Sequence, residues 1–314
     1  SSDLAAVIAS LFITVGAVYA GAGASETLGE LGSINTLPGA FMAAFAAAIS
    51  LYWMARDGLP VSTSQAIVGA IIGWNVFADK PTHPEILSKI VSTWIICPLL
   101  SGIIAVILYF FIRMLIRRSH LHILRQDSYT RFGLIVAGAF GAYALGANNI
   151  ANVMGVFVPS SPFTNLDLGY GLVLTGTQQL FLLGALAICV GVFTYSHHVI
   201  NTVGNNLMRM SPLVAFVVVL SQSIVLFLFA SKSLEHFLLS HNLPALPLVP
   251  VSSTQAVIGA VMGIGLAKGG RELNWNILGH VALGWIVTPI AAALVCYISL
   301  FFLQNVFGQI VFLP

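Results

Sequence analysis

Long apolar stretches nearly free of charge constrain this chain before anything else does. They run roughly Leu4–Ala24, Leu37–Ala55, Ile90–Leu115, Phe132–Leu145, Leu172–Val199, Pro212–Ala230 and Ile277–Leu303. A helix needs about 20 apolar residues to cross the hydrocarbon layer, and only a segment that satisfies its own backbone groups can do so. With 58% apolar residues, 7% charged residues and a mean hydropathy of +0.96, the sequence excludes a water-soluble domain. The fold expected is an all-α integral membrane protein. Phe132–Leu145 is too short to span as it stands, so its helix is expected to continue through Asn148–Asn152 or to break there.

One loop occurs twice. Pro60-Val-Ser-Thr-Ser-Gln-Ala66 and Pro250-Val-Ser-Ser-Thr-Gln-Ala256 lie 190 residues apart, and eight of the fourteen positions in 60–73 are identical to 250–263. Trp94-Ile-Ile-Cys-Pro98 follows the first copy and Trp285-Ile-Val-Thr-Pro289 the second, while Gly16 and Thr27-Leu28-Gly29 match Gly191 and Thr202-Val203-Gly204. The chain therefore reads as two homologous repeats, 1–118 and 131–314, joined by a basic linker at 119–130. Such repeats pack around a pseudo-two-fold axis, commonly with inverted topology, and bind ligands where broken helices meet near the midplane. Phe132–Gly155 has no counterpart in the first repeat. The offset would place its partner before residue 1, so that repeat is expected to be short by one segment of roughly two to four dozen residues. About 15 apolar residues follow each loop, too few to span, which predicts paired re-entrant helical hairpins lining a polar cavity.

Pro, then hydroxyls, then a helix is an order that presents free backbone N–H and side-chain O–H groups at a helix start. Each start carries about +0.5 of a charge, so two that face each other supply about +1. Ser62, Thr63, Ser64 and Gln65, with Ser252, Ser253, Thr254 and Gln255, are the candidate ligands of a small oxyanion. A site with no fixed cation releases its anion readily and leaves about one negative unit for a co-transported cation to balance. The second polar motif is Gly146-Ala-Asn-Asn-Ile-Ala-Asn152, whose Asn148, Asn149 and Asn152 offer the amide oxygens that hard cations take. Glu26, at the end of the first apolar stretch, joins them as a candidate cation ligand or sits at the interface beside Glu30. Asn201 holds the equivalent place in the second repeat. His197-His198 cannot share a helix face and reads as interfacial.

Other features bound the function. Cys97, Cys189 and Cys296 lie inside apolar runs without CxxC spacing, as core residues do. Arg113, Arg117, Arg118, Arg125 and Arg131 face only Asp127, which places the 119–130 linker in the cytoplasm by the positive-inside tendency and the protein in the plasma membrane as a multi-pass chain. No HExxH, GxSxG or paired-acid set occurs in the apolar runs, so an enzyme is not expected. No cofactor, resident metal or nucleic-acid partner is expected either. The partners expected are the lipid bilayer, the transported ions and a second copy in a homodimer. A passive anion channel is the alternative class, since polar re-entrant loops serve channels as well.

These motifs, in this order, resemble the inorganic phosphate transporter family, the PiT-type permeases, which include sulfate permeases. The family's Gly-Ala-Asn-Asp-Val-Ala-Asn hallmark resembles Gly146–Asn152, and its paired Pro-Val-Ser-Thr-Thr-(His/Gln)-Ala loops resemble Pro60–Ala66 and Pro250–Ala256. Ala9–Gly16 and Ser25-Glu-Thr27 are similar to the stretch after its first hallmark, which this sequence lacks. The resemblance implies alternating-access symport of phosphate, or of sulfate, with Na+ or H+. The anion would lie between the loops and the cation beside the Asn motif. The sequence departs from the family at Asn149, where the hallmark has Asp, and at Asn201 and Ile13, where Glu is common.

Overall fold

The computed structural model describes residues 2–56, 61–119, 122–167, 169, 171, 173–206, 208, 210–270 and 273–313, and only the backbone of 2, 123, 124 and 195–206. Pro60, Asp57 and the side chains of His197, His198 and Asn201 lie outside that set. In chain order the elements are α1 (Ser2–Ala20), α2 (Ala22–Leu31), α3 (Leu37–Arg56), α4 (Thr63–Phe77), α5 (Pro84–Ser119) and α6 (Ile123–Met154). A two-stranded antiparallel ribbon follows, β1 (Leu166–Asp167) and β2 (Val173–Leu174), with Leu166 opposite Leu174. Then come α7 (Gly176–Asn206), α8 (Pro212–Ala230), α9 (Lys232–Ser240), α10 (Ser253–Ala267) and α11 (Trp275–Asn305).

Among the described residues, seven helices are long and apolar enough to cross a membrane: α1, α3, α5, α6, α7, α8 and α11. The helices that follow the two loops, α4 and α10, have 15 residues each. At 1.5 Å per residue they reach about 22 Å, short of the roughly 30 Å hydrocarbon core. The apolar run 132–145 does not break at its asparagines. The helix continues through them to Met154 because Ala144, Ala147, Ile150 and Ala151 are all buried against neighbouring helices. The closest approach is at glycine. A Cβ on Gly146 would lie 2.1 Å from the Ile13 carbonyl oxygen, and one on Gly16 would lie 2.0 Å from that of Tyr143. Small residues thus let α1 and α6 touch backbone to backbone.

The same device joins the halves, twice. A Cβ on Gly69 would sit 2.1 Å from the Pro289 carbonyl oxygen and one on Gly73 would sit 2.4 Å from that of Ala293, so α4 runs parallel to α11. At the equivalent positions a Cβ on Gly259 would sit 2.1 Å from the Pro98 carbonyl oxygen and one on Gly263 would sit 2.5 Å from that of Gly102, so α10 runs parallel to α5. Pro98 and Pro289 lie inside their helices and remove a backbone N–H there. Each short helix therefore leans on the long helix of the other half. Because α5 starts where α4 ends and α11 starts where α10 ends, the two short helices leave their meeting point in opposite directions.

The halves also differ. Equivalent helix starts are offset by 175 residues at α3 and α8 but by 190 at α4 and α10, so the second half holds fifteen extra residues between them. That extra length contains α9. At the other end of the chain, residues after α11 return to pack on the first half. Trp74 Nε1 donates to the Val311 carbonyl (3.0 Å), and Asn35 exchanges two hydrogen bonds with the Leu313 backbone (3.2 and 3.0 Å).

Candidate functional site

Ser62 and Ser252 cap α4 and α10 in the same way, each Oγ accepting the N–H of the Gln three residues on at 3.2 Å. Such a cap contributes about 1 kcal/mol. It still leaves the N–H groups of the next two residues, Thr63 and Ser64 in one helix and Ser253 and Thr254 in the other, without an intrahelical partner. Both helix starts are in direct contact. Ser64 Oγ donates to the Val251 carbonyl at 3.1 Å, and Thr254 Oγ1 donates to the Val61 carbonyl at 3.3 Å. Ser64 and Thr254 are equivalent positions of the repeated loop, as are Val61 and Val251, so the clasp is reciprocal. The two loops meet deep inside the protein, with Ser62, Ser64, Gln65, Ser252 and Gln255 all buried.

The asparagine motif approaches from α6 and divides its work. Asn148 is fully buried; its Oδ1 accepts the Val251 N–H at 2.9 Å, and its Nδ2 donates to the Val251 carbonyl at 2.7 Å and to Asn149 Oδ1 at 2.8 Å. Its amide is therefore a clamp on the second loop. Asn152 Nδ2 donates to Ser64 Oγ at 2.9 Å and to Thr63 Oγ1 at 3.4 Å, which ties the same helix to the first loop. So Asn148, Asn149 and Asn152 join the two loops in one cluster. Glu26 does not. It is exposed and ion-paired to Lys232 at 2.6 Å, with no hydrogen bond to these asparagines.

The groups left without partners show what the cluster can hold. Thr63 is exposed and Ser253 half-buried; neither hydroxyl donates within the described protein, although that of Thr63 accepts from Asn152. With the four free backbone N–H groups they form a donor set at two helix starts, which suits an anion. Beside them are three buried amide oxygens with no hydrogen-bond partner: Gln65 Oε1, Gln255 Oε1 and Asn152 Oδ1. A buried acceptor left unsatisfied costs about 1–3 kcal/mol, so these positions call for a cation or a proton donor. No group of three or more His, Cys, Asp or Glu side chains that could hold a metal ion occurs among the described residues.

Sequence reasoning missed two supporting contacts. Ser101 Oγ donates to the Ala256 carbonyl at 2.6 Å, and the Cys97 thiol points at the Ser252 carbonyl at 3.7 Å, both from α5 onto the start of α10. Cys97 lies within the Trp-Ile-Ile-Cys-Pro repeat, which signals duplication and not contact, and Ser101, three residues beyond it, carries no signal. The partner of Glu26 carried no signal, since Lys232 is 206 residues away.

Known proteins resemble this chain in fold and in sequence. A solved structure described as the sodium-dependent phosphate transporter superposes with a TM-score of 0.71, covering 97% of this chain and 90% of that one at 19% identity, a likeness of fold. A protein of Methanocaldococcus jannaschii is 25% identical over 292 residues, 93% of this chain and 83% of its own length. One of Haemophilus influenzae is 23% identical over 397 aligned positions, 97% of this chain and 89% of its own; both carry the provisional name phosphate permease. The sequence profile of the phosphate transporter family matches residues 1–129 and 124–296. Clasped loops, spanning helices and profile agree: this multi-pass membrane chain belongs to the phosphate transporter family, a family of transporters and not of enzymes.

Proposed function

We propose that the protein is a symporter that moves inorganic phosphate across the plasma membrane by alternating access, coupled to Na+ or H+. One observation carries the reading. The two loop helices clasp each other through Ser64 and Thr254, which leaves Thr63, Ser253, the free N–H groups and the two glutamine amides around one point. In this reading the phosphate sits against Thr63, Ser253, Gln65 and Gln255, held by helix ends that supply about +1 in total. Ser62, Ser64, Ser252, Thr254 and Asn148 hold the loops in place. The cation takes Asn149 and the orphaned amide oxygen of Asn152. The solved relative's name supports Na+ as the coupling ion.

The orphaned acceptors favour phosphate over sulfate. Near neutral pH phosphate keeps at least one P–OH hydrogen and sulfate keeps none. Gln65 Oε1 and Gln255 Oε1 can accept that hydrogen, and a site with unpaired acceptors rejects a ligand that cannot donate. The opposed courses of α4 and α10 support two inverted repeats, 1–118 and 131–314. Arg125 within the 119–130 linker and Arg113, Arg117, Arg118 and Arg131 around it support a cytoplasmic side for it.

Uptake of labelled phosphate into proteoliposomes tests this. Saturable uptake that rises with an imposed inward Na+ or proton gradient, and that excess sulfate does not inhibit, is expected. Uptake indifferent to both gradients would remove the coupling. Equal competition by sulfate would remove the role given to the acceptors.

A further inference from the structure

The fifteen extra residues of the second half build something the first half lacks. None of the residues of α9 is buried. Its side chains Lys232, Glu235 and His236 line a cavity of about 470 Å³, facing Glu26, Thr27 and Glu30 on α2 and Lys89 near the start of α5. Leu248 and Val249, which lead directly into the second loop at Pro250, line the same cavity. The cavity thus touches both the surface where α5 begins and the segment that delivers Val251 and Ser252 to the clasp.

Two contacts tie the insertion across the cavity to α2. Lys232 Nζ lies 2.6 Å from Glu26 Oε1, and Thr27 Oγ1 donates to the Leu248 carbonyl. The ion pair is exposed, with side chains 47% and 62% accessible, and pairs of that kind are held only weakly. On the first half the situation is reversed. There Trp74 and Asn35 bind the carboxyl-terminal residues through Val311 and Leu313, and Val311 is fully buried. One hairpin is strapped down and the other is held by a contact that opens easily.

The lining also suits traffic of both signs. Lys89 and Lys232 stand against Glu26, Glu30 and Glu235, with His236 beside them. A single-sign mouth would repel one of two co-transported ions; a mixed one repels neither.

We propose that this cavity is the vestibule through which phosphate and its cation reach the paired loops from the face where α5 begins, and that the Lys232–Glu26 pair is its latch. An arriving oxyanion takes Lys232 from Glu26, the freed carboxylate faces the cation, and the 241–249 segment moves away from α2 to admit both. This rests on the transport reading above.

A reversible lock tests it. Thr27→Cys with Leu248→Cys replaces the hydrogen bond between insertion and α2 with a disulfide, and uptake of phosphate is measured before and after reduction. Oxidised protein is expected to lose at least tenfold in uptake rate and to regain it with reductant. A second readout does not need transport. Ser253→Cys is added, and its labelling by a membrane-impermeant thiol reagent from that face is followed, against protein lacking that cysteine. Labelling is expected to slow at least tenfold when the lock is closed. Uptake and labelling unchanged by the disulfide overturn the vestibule. A wild-type protein that takes up no phosphate overturns the transport reading instead, and the labelling still decides whether the cavity leads to the loops.

Discussion

Replacing Asn148 with Ala isolates the clamp on the second loop. The Val251 N–H has Asn148 Oδ1 as its hydrogen-bond acceptor, and Val251 is fully buried. The substitution leaves that N–H unsatisfied, at about 1–3 kcal/mol, while the Val251 carbonyl keeps the Ser64 hydroxyl. Adding the net loss of the Nδ2 bond, about 1 kcal/mol, the seated position of the loop weakens by about 2–4 kcal/mol. At 1.4 kcal/mol per tenfold that is roughly 30- to 700-fold in loop occupancy at most. We expect the KM for phosphate to rise at least tenfold because Asn148 seats the loop, with a smaller shift in the cation dependence from the lost Asn148 Nδ2 bond to Asn149 Oδ1. Asn148→Asp keeps an acceptor for the Val251 N–H but turns its second oxygen on the Val251 carbonyl and Asn149 Oδ1, so it should not recover the affinity. Both are measured as initial uptake rates against phosphate and against cation, with thermal unfolding in detergent as the check on folding. A folded Asn148→Ala protein with wild-type KM would refute the clamp. An altered cation profile at unchanged KM would make Asn148 an ion ligand.

The remaining predictions are brief. Ser253→Ala with Thr254→Val should abolish measurable phosphate affinity while the protein still inserts; unchanged uptake would remove the loops from the anion site. Asn149→Asp restores a carboxylate beside the cation position and should strengthen or shift the cation dependence of uptake, which an unaltered cation titration would contradict. Gly16→Ala forces a methyl group to within 2.0 Å of the Tyr143 carbonyl and should abolish stable protein in detergent. At the equivalent Gly191 a Cβ meets nothing within 4 Å, so Gly191→Ala should match or slightly exceed wild-type thermal stability.

Local pattern carried the fold a long way. The apolar runs locate the spanning helices, and the repeated loops locate both short helices to within two residues of their observed starts, since Pro followed by Ser is a helix-start signal in itself. The repeat also foretold that the loops would meet. What it could not show is which hydroxyl faces which carbonyl, because that depends on α4 leaning on α11 and α10 on α5. The short run 132–145 was ambiguous for a related reason. Asparagines inside an apolar helix read as a break until Val251 and Ser64 are seen to absorb their amides. The insertion at α9, the docking of residues 311–313 and the pairing of Glu26 all rest on contacts across most of the chain and leave no periodic trace.

The reciprocal clasp separates roles that the sequence presents as equal. Each loop offers three consecutive hydroxyls. The first is occupied as a helix cap and the third as a bond to the opposite loop, in both copies. A capping hydroxyl still has its own hydrogen, which in Ser252 lies within reach of Thr254 Oγ1 at 2.9 Å. The middle one, Thr63 or Ser253, neither caps its helix nor bonds the opposite loop and is open to a ligand. A loop with fewer hydroxyls could not both hold itself together and bind, which gives a physical reason for the run of three. The charge follows the same logic. Two helix starts at about +0.5 each leave a divalent phosphate with about one negative charge unbalanced. In the proposed reading the amide oxygen of Asn152, buried and unpartnered, is the ligand the balancing cation finds without any carboxylate. An anion held by partial charges and a cation held by neutral oxygens each bind weakly alone and well together, and that mutual dependence is the thermodynamic content of coupling.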